Sequence, residues 1–126
     1  MHGADEPMVL DEKVSVKLLK LRFAPQRIFQ LPDEAVFVSV TRLELGRCRP
    51  KGVVNANGLM MQAYRGEIAK RVPISVRPLG RGRFLVLDGN SSAVNCLFSG
   101  WSALPVTIEA EAKPGSRKSK GAPNRG

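Results

Sequence analysis

Two short apolar runs, Pro73-Ile-Ser-Val-Arg77 and Phe84-Leu-Val-Leu87, stand on either side of Leu79-Gly-Arg-Gly-Arg83. β-Branched and aromatic residues suit a pleated, half-buried surface, and the glycines supply turn positions, so this spacing predicts a β-hairpin. A lone hairpin is marginal in water and needs further strands or a helix against its apolar side. The next thirty residues offer both. Ser91 or Ser92 is placed to N-cap a short helix carrying Val94, Cys96, Leu97 and Phe98, and Gly100 stands where a helix-ending left-handed residue belongs. Leu104-Pro-Val-Thr-Ile-Glu109 then reads as a returning strand, with Pro105 favouring its start or a sheet edge.

Upstream, Val14, Val16 and Leu18 alternate with Ser15 and Lys17, which predicts a strand. Pro25 and Pro32 punctuate the following stretch into loops or short turns. Val36–Leu43 is rich in β-branched residues and predicts another strand; Gly46–Gly52, with Pro50 inside, reads as an arginine-rich loop. From Asn55 or Asn57 a helix is expected through Leu59, Met60, Ala63, Tyr64, Ile68 and Ala69, closing on Lys70-Arg71, with Gly66 its weak point. The order helix, strand, strand, helix, strand defines an α+β fold, a small mixed sheet with packed helices.

At 126 residues, 43% apolar, the chain suits one domain, expected over residues 13–110. The acidic stretch 1–12 and the tail 111–126, rich in Pro, Gly, Ser and Lys, are expected to be disordered. No apolar run reaches the roughly 20 residues of a membrane span, and the N-terminus lacks a signal pattern. Two cysteines make no disulfide framework, and the expected location is the cytoplasm. Cys48, between Arg47 and Arg49, is either a reactive thiol or an inert loop cysteine; Cys96 falls on an apolar helix face, as core. Met60-Met61 reads as helix packing, and Trp101 as either a core plug or a base-stacking platform. His2 is the sole histidine, which excludes histidine triads and histidine metal sites.

The net charge of +9 is unevenly placed. Residues 42–83 carry ten Lys or Arg against Glu44 and Glu67, and residues 113–126 carry five with no acid. Such a distribution points to polyanions, with solubility alone as the bland alternative.

The ordered run Pro73-Ile-Ser-Val, Arg83-Phe-Leu-Val-Leu-Asp-Gly-Asn-Ser-Ser-Ala, Gly100-Trp and Leu104-Pro-Val resembles the ParB/sulfiredoxin superfamily. The likeness covers roughly residues 36–109. It implies a ParB/sulfiredoxin-like fold and a phosphate site at the start of the helix after Gly89. Helix physics supports such a site independently, because Gly89, Asn90, Ser91 and Ser92 would offer free N–H groups and short polar side chains at a positive dipole end. The family's Gly-Glu-Arg-Arg or Gly-Cys-His-Arg is Gly89-Asn90-Ser91-Ser92 here. Without a cysteine at position 90 there is no thiolate for sulfinic acid reduction. Without the arginines the bidentate phosphate clamps are missing, unless Arg77, Arg81 or Arg83 substitutes from the hairpin.

Asp88 is the candidate catalytic or metal-binding carboxylate, against an Asx-type turn. Arg47, Arg49, Lys70 and Arg71 join the hairpin arginines as candidate phosphate or nucleic-acid contacts. The resemblance implies ATP or CTP as ligand, with Mg²⁺, and weak NTPase or DNase activity on a plasmid- or phage-borne protein. The acids available, Asp88, Glu44 and Glu67, are few for two-metal chemistry. Two readings follow: a nucleotide- or DNA-phosphate-binding domain with hydrolase character, or a non-catalytic module holding nucleic acid or a protein partner.

Overall fold

The computed structural model describes residues 12–109. The disorder expected for 1–12 and 111–126 falls, Glu12 apart, outside those residues. Two short helices come first, α1 (Glu12–Ser15) and α2 (Pro25–Ile28). Strand β1 (Val36–Ser39), a 3-10 turn (Val40–Arg42) and strand β2 (Leu43–Glu44) follow. Helix α3 (Pro50–Tyr64), strands β3 (Ile74–Gly80) and β4 (Arg83–Asp88), helix α4 (Asn90–Phe98) and strand β5 (Ala103–Ile108) complete the chain. The five strands form one mixed sheet in the order β1-β5-β3-β4-β2. The hairpin, the helix after Gly89 and the returning strand stand where the residues predicted them.

β1 and β2 lie at opposite edges of the sheet, yet only Val40–Arg42 separates them. From Ser39 to Leu43 the backbone reaches at most ~14 Å, whereas four flat strand spacings would take ~19 Å. The sheet is therefore strongly curled. The β-branched run expected as one strand over Val36–Leu43 is split for this reason: its first half pairs with β5 and its second with β4. Pro105 sits in an inner strand, between β1 and β3, but the β3 ladder starts only at Ile74↔Val106, so its missing N–H breaks no ladder bond there.

Ile74, Val76, Val86, Leu104 and Val106 form the buried side of the sheet, packed with Met60, Ala93, Cys96 and Trp101. Cys96 and Met60 are thus core, as read from the helical spacing. Trp101 is the core plug of its two readings: it is buried, and its Nε1 donates to Leu21 O at 3.0 Å.

Three further expectations are corrected. Val14–Leu18 is no strand; α1 leads into a strap whose backbone finds no ladder, and Leu19 instead exchanges two hydrogen bonds with the Asn57 side chain. The segment Gly46–Gly52 is not all loop, because Pro50 is the first residue of α3, where a missing N–H costs nothing. The same helix stops at Tyr64 rather than Arg71. Gly66 has φ +78°, and the N–H groups of Gly66 and Glu67 return to Ala63 O and Gln62 O, a Schellman ending. Gly100 closes α4 in the same way, with φ +87° and bonds from Gly100 and Trp101 to Leu97 O and Cys96 O.

Candidate phosphate-binding site

The start of α4 is set by Gly89, not by a serine. Gly89 is the N-cap with φ +96°, and an added Cβ would lie 3.0 Å from Ile74 Cγ1, so a side chain here is both strained and crowded. Ser91 and Ser92 fall one and two residues inside the helix. The first intrahelical bond runs from Ala93 N–H to Gly89 O at 2.9 Å. Among the described residues, the N–H groups of Asn90, Ser91 and Ser92 have no acceptor, and no side chain caps this end.

A second helix start lies against it. Gly52, in the first turn of α3, approaches so closely that a Cβ there would meet Ser91 Oγ at 3.3 Å. Farther along, Asn95 Nδ2 donates to Val53 O at 3.0 Å and Asn57 Nδ2 donates to Asn95 Oδ1 at 2.8 Å. The two helices therefore run with their N-termini side by side. α3 also lacks a capping side chain and an acid in its first turn, and among the described residues the N–H groups of Lys51 and Gly52 have no acceptor. Two positive dipole ends and five unsatisfied amides thus converge.

The loop before α3 is pinned onto α4. Gly46 N–H donates to Asn90 Oδ1 at 2.7 Å, and the Cys48 thiol is hydrogen-bonded to Ser91. Arg47 and Arg49 flank these contacts and are exposed. Burial pushes the Cys48 thiol up, with the Ser91 bond acting in the opposite sense. Partial burial beside the Val14, Leu18, Val53 and Val94 cluster thus acts against the thiolate form that the reactive-thiol reading of Cys48 needs.

The other basic candidates have other places. Arg81 is at the hairpin tip with φ +59°. Arg83 Nε pairs with Glu44 Oε2 at 2.9 Å, tying β4 to β2. Arg83 opens β4 and Asp88 closes it, so these arginines stand at least ~17 Å along the strand from Asp88, the residue before Gly89. Arg77 lies on β3 opposite Leu85. Lys70 and Arg71 connect α3 to β3, where Arg71 exchanges backbone bonds with Ile28 and Gln30 at 2.7 Å. Asp88 is an exposed carboxylate, and no group of three or more His, Cys, Asp or Glu gathers among the described residues. Mg²⁺ commonly takes one or two carboxylates plus phosphate oxygens, so Asp88 fits it only as a single protein ligand beside a bound phosphate.

Lys51 and Gly52 were missed by sequence reasoning, although a proline such as Pro50 is favoured as the first residue of a helix.

No family model and no curated protein matches the sequence. Among solved structures, SbnI with C-terminal truncation, from Staphylococcus aureus, superposes with a TM-score of 0.52 at 21% identity. The fold is ParB-like. The match covers 63% of this chain and 32% of that one, so the shared fold spans about a third of the SbnI structure. At this identity the likeness is one of fold.

Proposed function

We propose that this ParB-like domain is a phosphate-binding module, taking the phosphates of a nucleotide such as ATP or CTP, or of a nucleic-acid backbone, between the first turns of α3 and α4. One observation carries the reading. Gly52 and Ser91 bring two uncapped helix starts into contact, with Arg47, Arg49 and Lys51 around them and no acid in either first turn. Aligned orphan amides select negative oxygen, and the flanking cations raise its local concentration. The amides of Ser91 and Ser92 take the place of the arginine clamps that the family motif supplies. The reading is one of binding; hydrolysis is measured in the same samples.

The test is calorimetric titration of the full chain with ATP, CTP and inorganic pyrophosphate, each with Mg²⁺, and with duplex DNA. Ser92→Asp supplies the discriminating variant. A carboxylate at the third position of α4 caps the helix and stabilises it by about 0.5–1 kcal/mol, yet places a like charge in the cradle. The expected result is a raised Tm together with at least tenfold weaker phosphate binding. Unchanged affinity in Ser92→Asp, or no binding by the parent, overturns the proposal.

A further inference from the structure

The strap between α1 and α2 has one buried side and one bare side. Leu18 and Leu21 are buried, while Val16, Leu19 and Phe23 are 75%, 54% and 56% exposed. Lys17, Lys20 and Arg22 are interspersed with them, Arg27 follows in α2, and no acid occurs between residues 13 and 32. The strap is held firmly despite its irregular backbone. Leu19 bonds Asn57 through both its N–H and its C=O, Leu21 N–H donates to Ser99 Oγ at 2.8 Å, and Leu21 O accepts from Trp101. Phe23 rests on Trp101 in an edge arrangement, centroids 5.0 Å apart, and Trp101 is itself buried. An exposed aromatic ring is thus fixed in place with cations on its own segment.

We propose that this strap is a track for single-stranded nucleic acid, with Phe23 stacking a base and Lys17, Lys20, Arg22 and Arg27 following the phosphates. A rigidly seated ring offers a π-face at little entropic cost, and every base has a matching face. Lys20 Nζ lies 5.8 Å over the Phe98 ring and the Arg27 guanidinium 4.1 Å over Tyr64, so two of the cations are steadied by aromatic rings. A bilayer surface shares the taste for cations beside apolar groups, and phosphatidylserine vesicles are therefore the competing arm of the test. The strap begins beside the phosphate cradle, since Val14 packs with Val53, Val94 and Cys48, but the track does not depend on that cradle.

The experiment is fluorescence anisotropy of a labelled oligothymidylate with the full chain, beside the same strand annealed as duplex and beside phosphatidylserine vesicles. Phe23→Leu keeps an apolar residue on Trp101 but removes the ring; Phe23→Trp retains one. The expected result is binding of the single strand in preference to the duplex, weakened about tenfold by Phe23→Leu and restored by Phe23→Trp. Arg22→Ala is expected to flatten the salt dependence. Ser92→Asp leaves this binding intact if the cradle is separate, so failure of one proposal is visible without the other. Equal affinity of Phe23→Leu and parent for the oligothymidylate overturns the track, as does equal binding of duplex. Vesicle binding that is lost in Phe23→Leu while oligothymidylate binding is unchanged assigns the strap to a lipid surface instead.

Discussion

Asn57 on α3 donates from Nδ2 to Oδ1 of Asn95 on α4 at 2.8 Å, and both side chains are buried. Each then uses its remaining amide groups on backbone: Asn57 holds Leu19 through N–H and C=O, and Asn95 donates to Val53 O and Ser91 O. This pair fixes how α3 lies on α4, hence how close their first turns come, and it also fastens the strap. A buried polar pair with its partners in place specifies one arrangement, and removing one member leaves the other unsatisfied.

Asn57→Ala is therefore expected to cost about 3 kcal/mol in urea denaturation. The Leu19 amide should lose its hydrogen-exchange protection relative to amides of the sheet. A cost below about 0.5 kcal/mol would mean that the pair does not hold the helices.

At Gly89 two penalties coincide, a positive φ and a Cβ that would press on Ile74, which is buried. Gly89→Ala is expected to destabilise the fold by about 2–3 kcal/mol. Circular dichroism melting checks it, and a Tm equal to that of the parent would remove Gly89 from its assigned role.

The two groups of arginine should behave differently. Arg83 spends its guanidinium on Glu44 in a half-exposed pair, so Arg83→Ala is expected to change stability by under about 1 kcal/mol. Lying at the far end of β4, it should also leave pyrophosphate affinity within about twofold, since exposed charges that distant are screened. Arg49, the residue before α3, should weaken pyrophosphate binding severalfold when changed to Ala. Calorimetry on both variants decides between the two ends of the sheet.

Cys96 is buried in the core, and desolvation raises its thiol above the ordinary value of 9.0. A group whose folded pKa is raised contributes stability that is complete below its unfolded pKa and is lost as pH climbs toward the folded one. The parent should therefore lose stability relative to Cys96→Val as pH rises above about 9, with no relative change from pH 6 to 8. Urea denaturation across that range measures it.

The hairpin, α4 and β5 were legible because local rules decide them: paired glycines at the turn, Gly89 and Gly100 at the two ends of a helix, β-branched runs between. Elsewhere tertiary partners overrode local pattern. Val14, Val16 and Leu18 alternate like a strand, but a side-chain amide on Asn57, not a neighbouring strand, receives the backbone that follows. Val36–Leu43 looks continuous because nothing local marks the change of sheet edge at Val40–Arg42. Gly89–Ser92 could be singled out as a helix start, whereas its neighbour could not, since Pro50 was read as a loop breaker instead of a first helical residue. The strap's exposed Phe23 gave no signal of its own, because only the packing of Trp101 shows which ring is fixed and which side is bare.

Whether the facing first turns of α3 and α4 hold phosphate is read residue by residue in an amide-resolved NMR titration with ATP and Mg²⁺. Saturable shifts centred on Lys51, Gly52, Asn90, Ser91 and Ser92 are expected, reproduced by pyrophosphate alone. Shifts confined to the hairpin around Arg81, or none at those five amides, would contradict it.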